Sequence, residues 1–220
     1  TRILESKRER FVAATLIFVA VPCAALQAMV FGLVGAHGWQ YVAMVYGTLF
    51  AVWIVLGFIL HKAIKGFTPE LLIEIPPYRM PAWRTTFQKL WMRAYGFLAE
   101  AIPIILGAIL INVLYFIGIF EAIADFTAPL VTGLLGLPKE AVTALLIGFL
   151  RKDVAVGMLA PLGLTAEQLV VGTVVLAMFF PCIATFAVLL KELGVVNLLK
   201  SFAIMIAMAL ITGGLLNLLL

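Results

Sequence analysis

The chain has 220 residues, of which 65% are hydrophobic and 12% charged, with a formal net charge of +4 and two cysteines. Soluble domains carry about half apolar and roughly a quarter charged residues, so this chain lacks the polar surface to cover itself in water. An ordinary soluble enzyme, a disordered tail and a disulfide-stapled secreted module are excluded, and an all-α, polytopic helical membrane protein remains.

The first ten residues, TRILESKRER, interleave Arg2, Lys7, Arg8 and Arg10 with Glu5 and Glu9, the pattern of a solvated helix. The apolar run Phe11–Val34 behind them is too long for a secretory signal and has no small-residue cleavage pattern. The chain is therefore expected to start inside a larger membrane protein, or to be a small one shortened at its start. Phe11–Val34 and Trp39–Leu60 each reach the ~20 apolar residues a spanning helix needs, and Gly35-Ala36-His37-Gly38 joins them as a hairpin. An amphipathic lead-in, Trp83–Arg93, precedes a third run, Ala94–Ile119; further runs follow at Phe126–Leu150, Ala166–Leu190 and Val195–Leu220. The sum is roughly five to six membrane elements, at least one of them broken or re-entrant.

Basic residues cluster before the first run and again at Lys62, Lys65, Arg79, Arg84, Lys89 and Arg93, whereas Glu121 and Asp125 follow the third run. The positive-inside rule then places Arg2–Arg10 and His61–Arg93 in the cytoplasm, with no nucleic-acid role for the basic charge. Phe126–Leu150 carries Thr127, Pro129, Gly133, Gly136 and Pro138 before a helical stretch that begins at Lys139 and is expected to end at Arg151-Lys152-Asp153. A helix of about thirteen residues rises only ~20 Å, too little for the hydrocarbon core. Such breaks survive in a membrane only inside protein or beside a wet cavity, where transporters commonly hold substrate.

Both cysteines share one context, Pro22-Cys23-Ala24-Ala25 and Pro181-Cys182-Ile183-Ala184, each well inside an apolar run. Proline removes a backbone N–H and frees a carbonyl one turn earlier, and a deprotonated thiol is a soft metal ligand. Two such elements could place sulfur and carbonyl oxygen around a transition-metal path; buried cysteines beside proline kinks also occur as plain packing. Thr185 follows Cys182 by three residues, and Gln27 lies one turn beyond Cys23. Glu100, near the inner interface, reads either as a rim charge or as part of an ion path. Asn112 and Asn217 read as interhelical hydrogen-bond partners, and His37 and His61 as boundary residues. The methionines read as packing, with Met178 set apart because it lies one turn before Cys182. There is no HExxH, GxSxG, Walker loop or Gly-rich dinucleotide turn, so no enzyme chemistry is expected.

Several segments in order carry a family resemblance. TRILESKRER before a helix with Cys23-Ala24-Ala25, IEIPPYRMP at Ile73–Pro81 with Trp91-Met92-Arg93, GFLRKDVAVGML, and FFPCIATFAVLLKELG together resemble the C-terminal membrane half of the ferrous iron transport protein B family. The chain departs from the family pattern after Cys23, with Ala-Ala-Leu-Gln for Ala-Arg-Leu-Pro, and at Lys152-Asp153, where Lys-Glu is common. The resemblance implies an N-terminal segment and transmembrane hairpin over 1–66, a cytoplasmic connector with an amphipathic helix over 67–93, and a gate-type transmembrane domain over 94–220.

It further implies an Fe²⁺ permease of the bacterial inner membrane. Its metal path would be built from Cys182 first and Cys23 second, with Pro181, Pro22, Thr185 and Glu100. Fe²⁺ would be the transported ion and no cofactor would be tightly bound. The implied partners are the lipid bilayer, a GTP-binding domain and first gate half in the same or a separate chain, and a possible second copy. The rival readings are a membrane assembly module that carries no ion, and a gate-type carrier of another solute such as a nucleoside or another divalent metal.

Overall fold

The structure is a computed structural model that describes residues 6–63, 80, 82–118, 127–129, 131–148, 152–179 and 183–220. Helix α1 (Lys7–Ala20) starts at Ser6, whose hydroxyl accepts the Glu9 N–H at 3.2 Å, with Glu9 in the turn where the helix dipole favours an acid. It stops at Val21, extended at φ −100° and ψ 110°, because a residue before proline is driven out of the helical region. The chain resumes as α2 (Ala24–Met29), continues through a π turn (Val30–Val34) and closes with a 3-10 turn (Gly35–His37). Phe11–Val34 is thus two pieces and not one span: α1 has 14 residues, about 21 Å of helix.

Gly38, at φ 132°, turns the chain into α3 (Trp39–Ala63) and completes the expected hairpin. Val42, Val45, Leu49, Val52, Leu56 and Leu60 recur at helical spacing and are buried, and α3 packs on α1 and α8. Phe50, Trp53, Ile54, Phe58 and Ile59 stay exposed on its other face, an apolar surface suited to lipid. Helix α4 (Trp83–Phe116) runs unbroken for 34 residues, so the lead-in and the third apolar run are one helix.

Helices α5 (Thr127–Leu135) and α6 (Lys139–Gly148) meet at 106° across Gly136-Leu137-Pro138. Ala141 donates to the Pro138 carbonyl at 3.0 Å, so the helix start read at Pro138-Lys139-Glu140 is present. Helix α6 is described as far as Gly148; residues 149–151, where its end is expected, lie outside the described residues, and Lys152 stands in a separate helix, α7 (Lys152–Leu159). A 3-10 turn (Ala160–Leu162) and Gly163 lead to α8 (Ala166–Phe179). Helix α8 is the hub, buried from Leu169 through Met178 and packed against α9, α3, α1 and α6. Its polar Thr173 is satisfied by donating to the Leu169 carbonyl at 2.6 Å. Met178 lies in this core with no exposed surface, which makes it packing.

Helix α9 (Ile183–Leu219) contains a kink at Gly194, φ 72° and ψ 169°; the run expected at Ala166–Leu190 is described as α8 and the first limb of α9, with residues 180–182 outside the described residues. Among the described residues two helices, Trp39–Ala63 and Glu192–Leu219, are long and apolar enough to cross a bilayer, or three if the bent α5–α6 pair forms one span. The described structure is all-helical, as expected, and the described residues do not confirm the count of five to six. Prolines 22 and 138 and the kink at Gly194 divide the apolar runs into shorter pieces.

Candidate functional site

Each break in an apolar helix orphans carbonyls that a helical N–H would otherwise satisfy, and lipid supplies no substitute. At the first break Pro22 is half-buried and Cys23 is extended at φ −72° and ψ 169°. The Cys23 carbonyl accepts the Gln27 N–H at 2.9 Å, while its thiol is free, exposed and makes no capping bond to α2. Gln27 is exposed one turn on, as their spacing implied. The short helix they begin packs on α7.

At the second break two amide side chains hold the bend. Gln168 donates through Nε2 to the Gly136 carbonyl at 3.1 Å, and Asn217 through Nδ2 to the Leu134 carbonyl at 3.2 Å. Gln168 is itself fixed by a reciprocal cap at the start of α8: Thr165 N–H donates to its Oε1 at 3.2 Å, and its own N–H donates to Thr165 Oγ1 at 3.3 Å. Gly136 adopts φ 64°, a left-handed conformation, and Asn217 Oδ1 occupies the space a side chain there would take. A cavity of about 300 Å³ opens beside them, lined by Gly136, Thr165, Glu167, Gln168 and Asn217.

Helix α8 is described to Phe179 and α9 from Ile183, with residues 180–182 outside the described residues. The Ala177 carbonyl, four residues before Pro181, accepts the Lys152 ammonium at 3.1 Å, and Lys152 is only 9% exposed. Sequence reading passed over this lysine as a helix end. The signal was present, since a lysine in an apolar stretch of a membrane protein demands a partner.

Of the residues expected to form a metal path, Cys23 and Pro22 stand at the first break, and Thr185 is half-buried in the first turn of α9. Glu100 lies on α4 with its side chain outside the described residues, and Pro181 and Cys182 lie outside them altogether. Glu121, Asp125 and the connector 64–79 also fall outside. Among the described residues no group of three or more His, Cys, Asp or Glu side chains is placed to hold a metal ion. His37 is exposed, with Nδ1 3.0 Å from the Leu33 carbonyl, and His61 is exposed at the end of α3.

Apolar helices with breaks held by polar side chains define a helical membrane protein. Two family models match the chain: one described as ferrous iron transport protein B C terminus over residues 42–93, the other as Gate, nucleoside recognition, over residues 98–196. A Fe(2+) transporter FeoB of Methanocaldococcus jannaschii is 30% identical over 233 residues, spanning 88% of this chain and 35% of that protein. One from Staphylococcus aureus (strain COL) is 25% identical over 224 residues, 87% of this chain and 33% of that protein. No solved structure matches the chain. The chain thus carries a match to the ferrous iron transport protein B C terminus followed by a match to Gate, is similar over most of its length to proteins named Fe(2+) transporter FeoB, and spans about a third of the length of the curated relatives it matches.

Proposed function

We propose that the chain is the permease portion of a ferrous iron uptake transporter in the bacterial inner membrane, with its N-terminal segment in the cytoplasm. The observation that carries this reading is the helix break at Pro22-Cys23, where an exposed free thiol stands within an apolar run of a chain whose relatives are named Fe(2+) transporters. Fe²⁺ accepts mixed sulfur and oxygen ligation, and a path must hold an ion loosely enough to release it. Cys182 is the main stop and Cys23 the second, with oxygens near Pro22 and Pro181, Thr185 and Glu100 completing the route. The chain hydrolyses nothing itself; a GTP-binding domain and a first gate half, in the same or another chain, supply the drive.

The test is Fe²⁺ uptake together with labelling of both thiols by a membrane-impermeant reagent. Fe²⁺, but not Mg²⁺, is expected to protect the thiols, and the double variant Cys23→Ser/Cys182→Ser to lose uptake. Undiminished uptake by that variant would overturn the metal role of the cysteines.

A second reading, an assembly module that carries no ion, has one observation in its favour: α9 comes so close to α5 and α8 that Gly213 leaves no room for a side chain against Leu135 and Val175, and one at Gly214 would be tight against Leu134. Thiols inert in every condition would support it.

A further inference from the structure

Helix α4 packs on α9, yet every residue from Ala82 to Gly96 is exposed. Trp83, Phe87, Leu90 and Trp91 follow one another at i, i+4, i+7 and i+8, so they form one stripe along the helix, and each is 61–83% exposed. Arg84 borders the stripe on the Trp91 side and Lys89 and Arg93 border it on the other, with no Asp or Glu between Trp83 and Ala99. The helix start adds to this positive charge. Its first bond runs from the Thr86 N–H to the Ala82 carbonyl at 3.0 Å, and Ala82, at the cap position, has only a methyl group to offer the N–H groups of Trp83, Arg84 and Thr85. An arginine in the first turn opposes the helix dipole unless an anion meets both.

Length says where this stretch sits. At 34 residues α4 is about 51 Å long, beyond the ~30 Å hydrocarbon core, but it fits the ~40–45 Å bilayer with its headgroups at a tilt of about 30°. With the apolar sequence after Gly96 in the core, the first turns lie among the headgroups.

We propose that Trp83–Arg93 is a binding site for anionic phospholipid. The stripe of Trp83, Phe87, Leu90 and Trp91 sinks among the upper acyl carbons, a depth that suits aromatic rings. Arg84, Lys89 and Arg93 reach back to the phosphates, joined at the helix start by its N–H groups. Charge selects the occupant: a second copy of this chain would bring the same three cations against these, whereas an anionic headgroup neutralises them. Because α4 is one unbroken helix packed on α9, anchoring its start fixes its tilt against α9. The site needs no transported ion; it rests on the transport reading only for its leaflet, which that reading makes the cytoplasmic one.

The experiment places the full protein in vesicles of equal parts phosphatidylcholine and phosphatidylglycerol, with bromine, a quencher of tryptophan, on the acyl chains of one lipid or the other. Emission from Trp83 and Trp91 is the difference between the protein and its Trp83→Phe/Trp91→Phe variant. Brominated phosphatidylglycerol is expected to quench that emission severalfold more than brominated phosphatidylcholine, and the variant Arg84→Gln/Lys89→Gln/Arg93→Gln to remove the preference. Equal quenching by the two lipids, or a preference that survives the triple variant, overturns the proposal. Quenching by neither lipid means that protein covers the stripe, a second copy or another domain, and overturns it as well.

Should the triple variant fail to insert, salt decides the matter with the charges in place. The preference for phosphatidylglycerol is expected to fall toward equality as salt rises to about 1 M, where screening shortens to a few ångströms. A preference indifferent to salt overturns the proposal. Because the quenching needs no Fe²⁺, absence of Fe²⁺ uptake overturns the transport reading and leaves the lipid site standing, while equal quenching with normal uptake sinks only the lipid site.

Discussion

Thr15 of α1 and Ser201 of α9 share a hydrogen bond of 2.6 Å between their hydroxyls, fully buried and 186 residues apart in sequence. Each hydroxyl is the other's answer to burial among apolar side chains. Close by, Phe11 and Ala14 of α1 pack with Leu189, Leu193 and Leu198 of α9, so the polar pair pins the register of an otherwise greasy contact. Truncating one partner strands the other: Thr15→Val or Ser201→Ala is expected to destabilise the detergent-solubilised protein by about 1–2 kcal/mol. The double variant recovers part of that loss, giving a coupling near ~0.6 kcal/mol in a double-mutant cycle of thermal or denaturant unfolding. Strict additivity would mean that the bond contributes nothing.

Gly213 permits the close approach of three helices. A side-chain carbon there would fall 2.5 Å from Leu135 Cδ2 of α5 and 2.5 Å from Val175 Cγ2 of α8. Gly213→Ala is therefore expected to cost about 1–3 kcal/mol through overpacking. Gly133, in α5, has nothing within 4 Å of the same position, so Gly133→Ala should be neutral or stabilising by up to ~1 kcal/mol. Thermal midpoints of the two variants check the contrast; equal shifts would contradict it.

The bend between α5 and α6 depends on amides borrowed from elsewhere. Gln168→Leu removes the donor to the Gly136 carbonyl and half of the cap that starts α8, and Asn217→Leu removes the donor to the Leu134 carbonyl. Each carbonyl left bare costs about 1–3 kcal/mol. Gln168→Leu is expected to be the more damaging, because it loses two interactions. Amide hydrogen exchange should report the loss as faster exchange at the start of α8, with α3 unaffected.

Restoring a backbone donor at the first break tests whether that break serves transport. Pro22→Ala supplies an N–H for the carbonyl one turn earlier and removes the constraint that keeps Val21 extended. The expected outcome is a higher thermal midpoint together with slower Fe²⁺ uptake. Faster or unchanged uptake would show that the break is structural only.

Much of this architecture can be read from residue types. The hairpin at Gly35–Gly38 and the helix start at Pro138 follow from local rules, because turn and cap preferences act within a few residues. Proline beside cysteine marked the first break, yet the run was read as a kinked span. How far a proline opens a helix depends on what packs against it, and here α2 leaves to meet α7. Asn217 was legible as an interhelical partner, but not that its partner is the Leu134 carbonyl, 83 residues earlier.

Composition alone determined that the chain lives in lipid as helices, since 12% charged residues cannot clothe 220 residues in water. Ordered motifs carried the resemblance that the family-model matches over 42–93 and 98–196 then supported. Only the tertiary structure decided what the few polar side chains do. Lys152 looked like the end of one helix and is the start of another, folded back onto a carbonyl 25 residues downstream. The physical reason is distance: helix periodicity and capping act within a turn, whereas satisfying an orphaned carbonyl in an apolar core requires a donor from wherever the fold brings one.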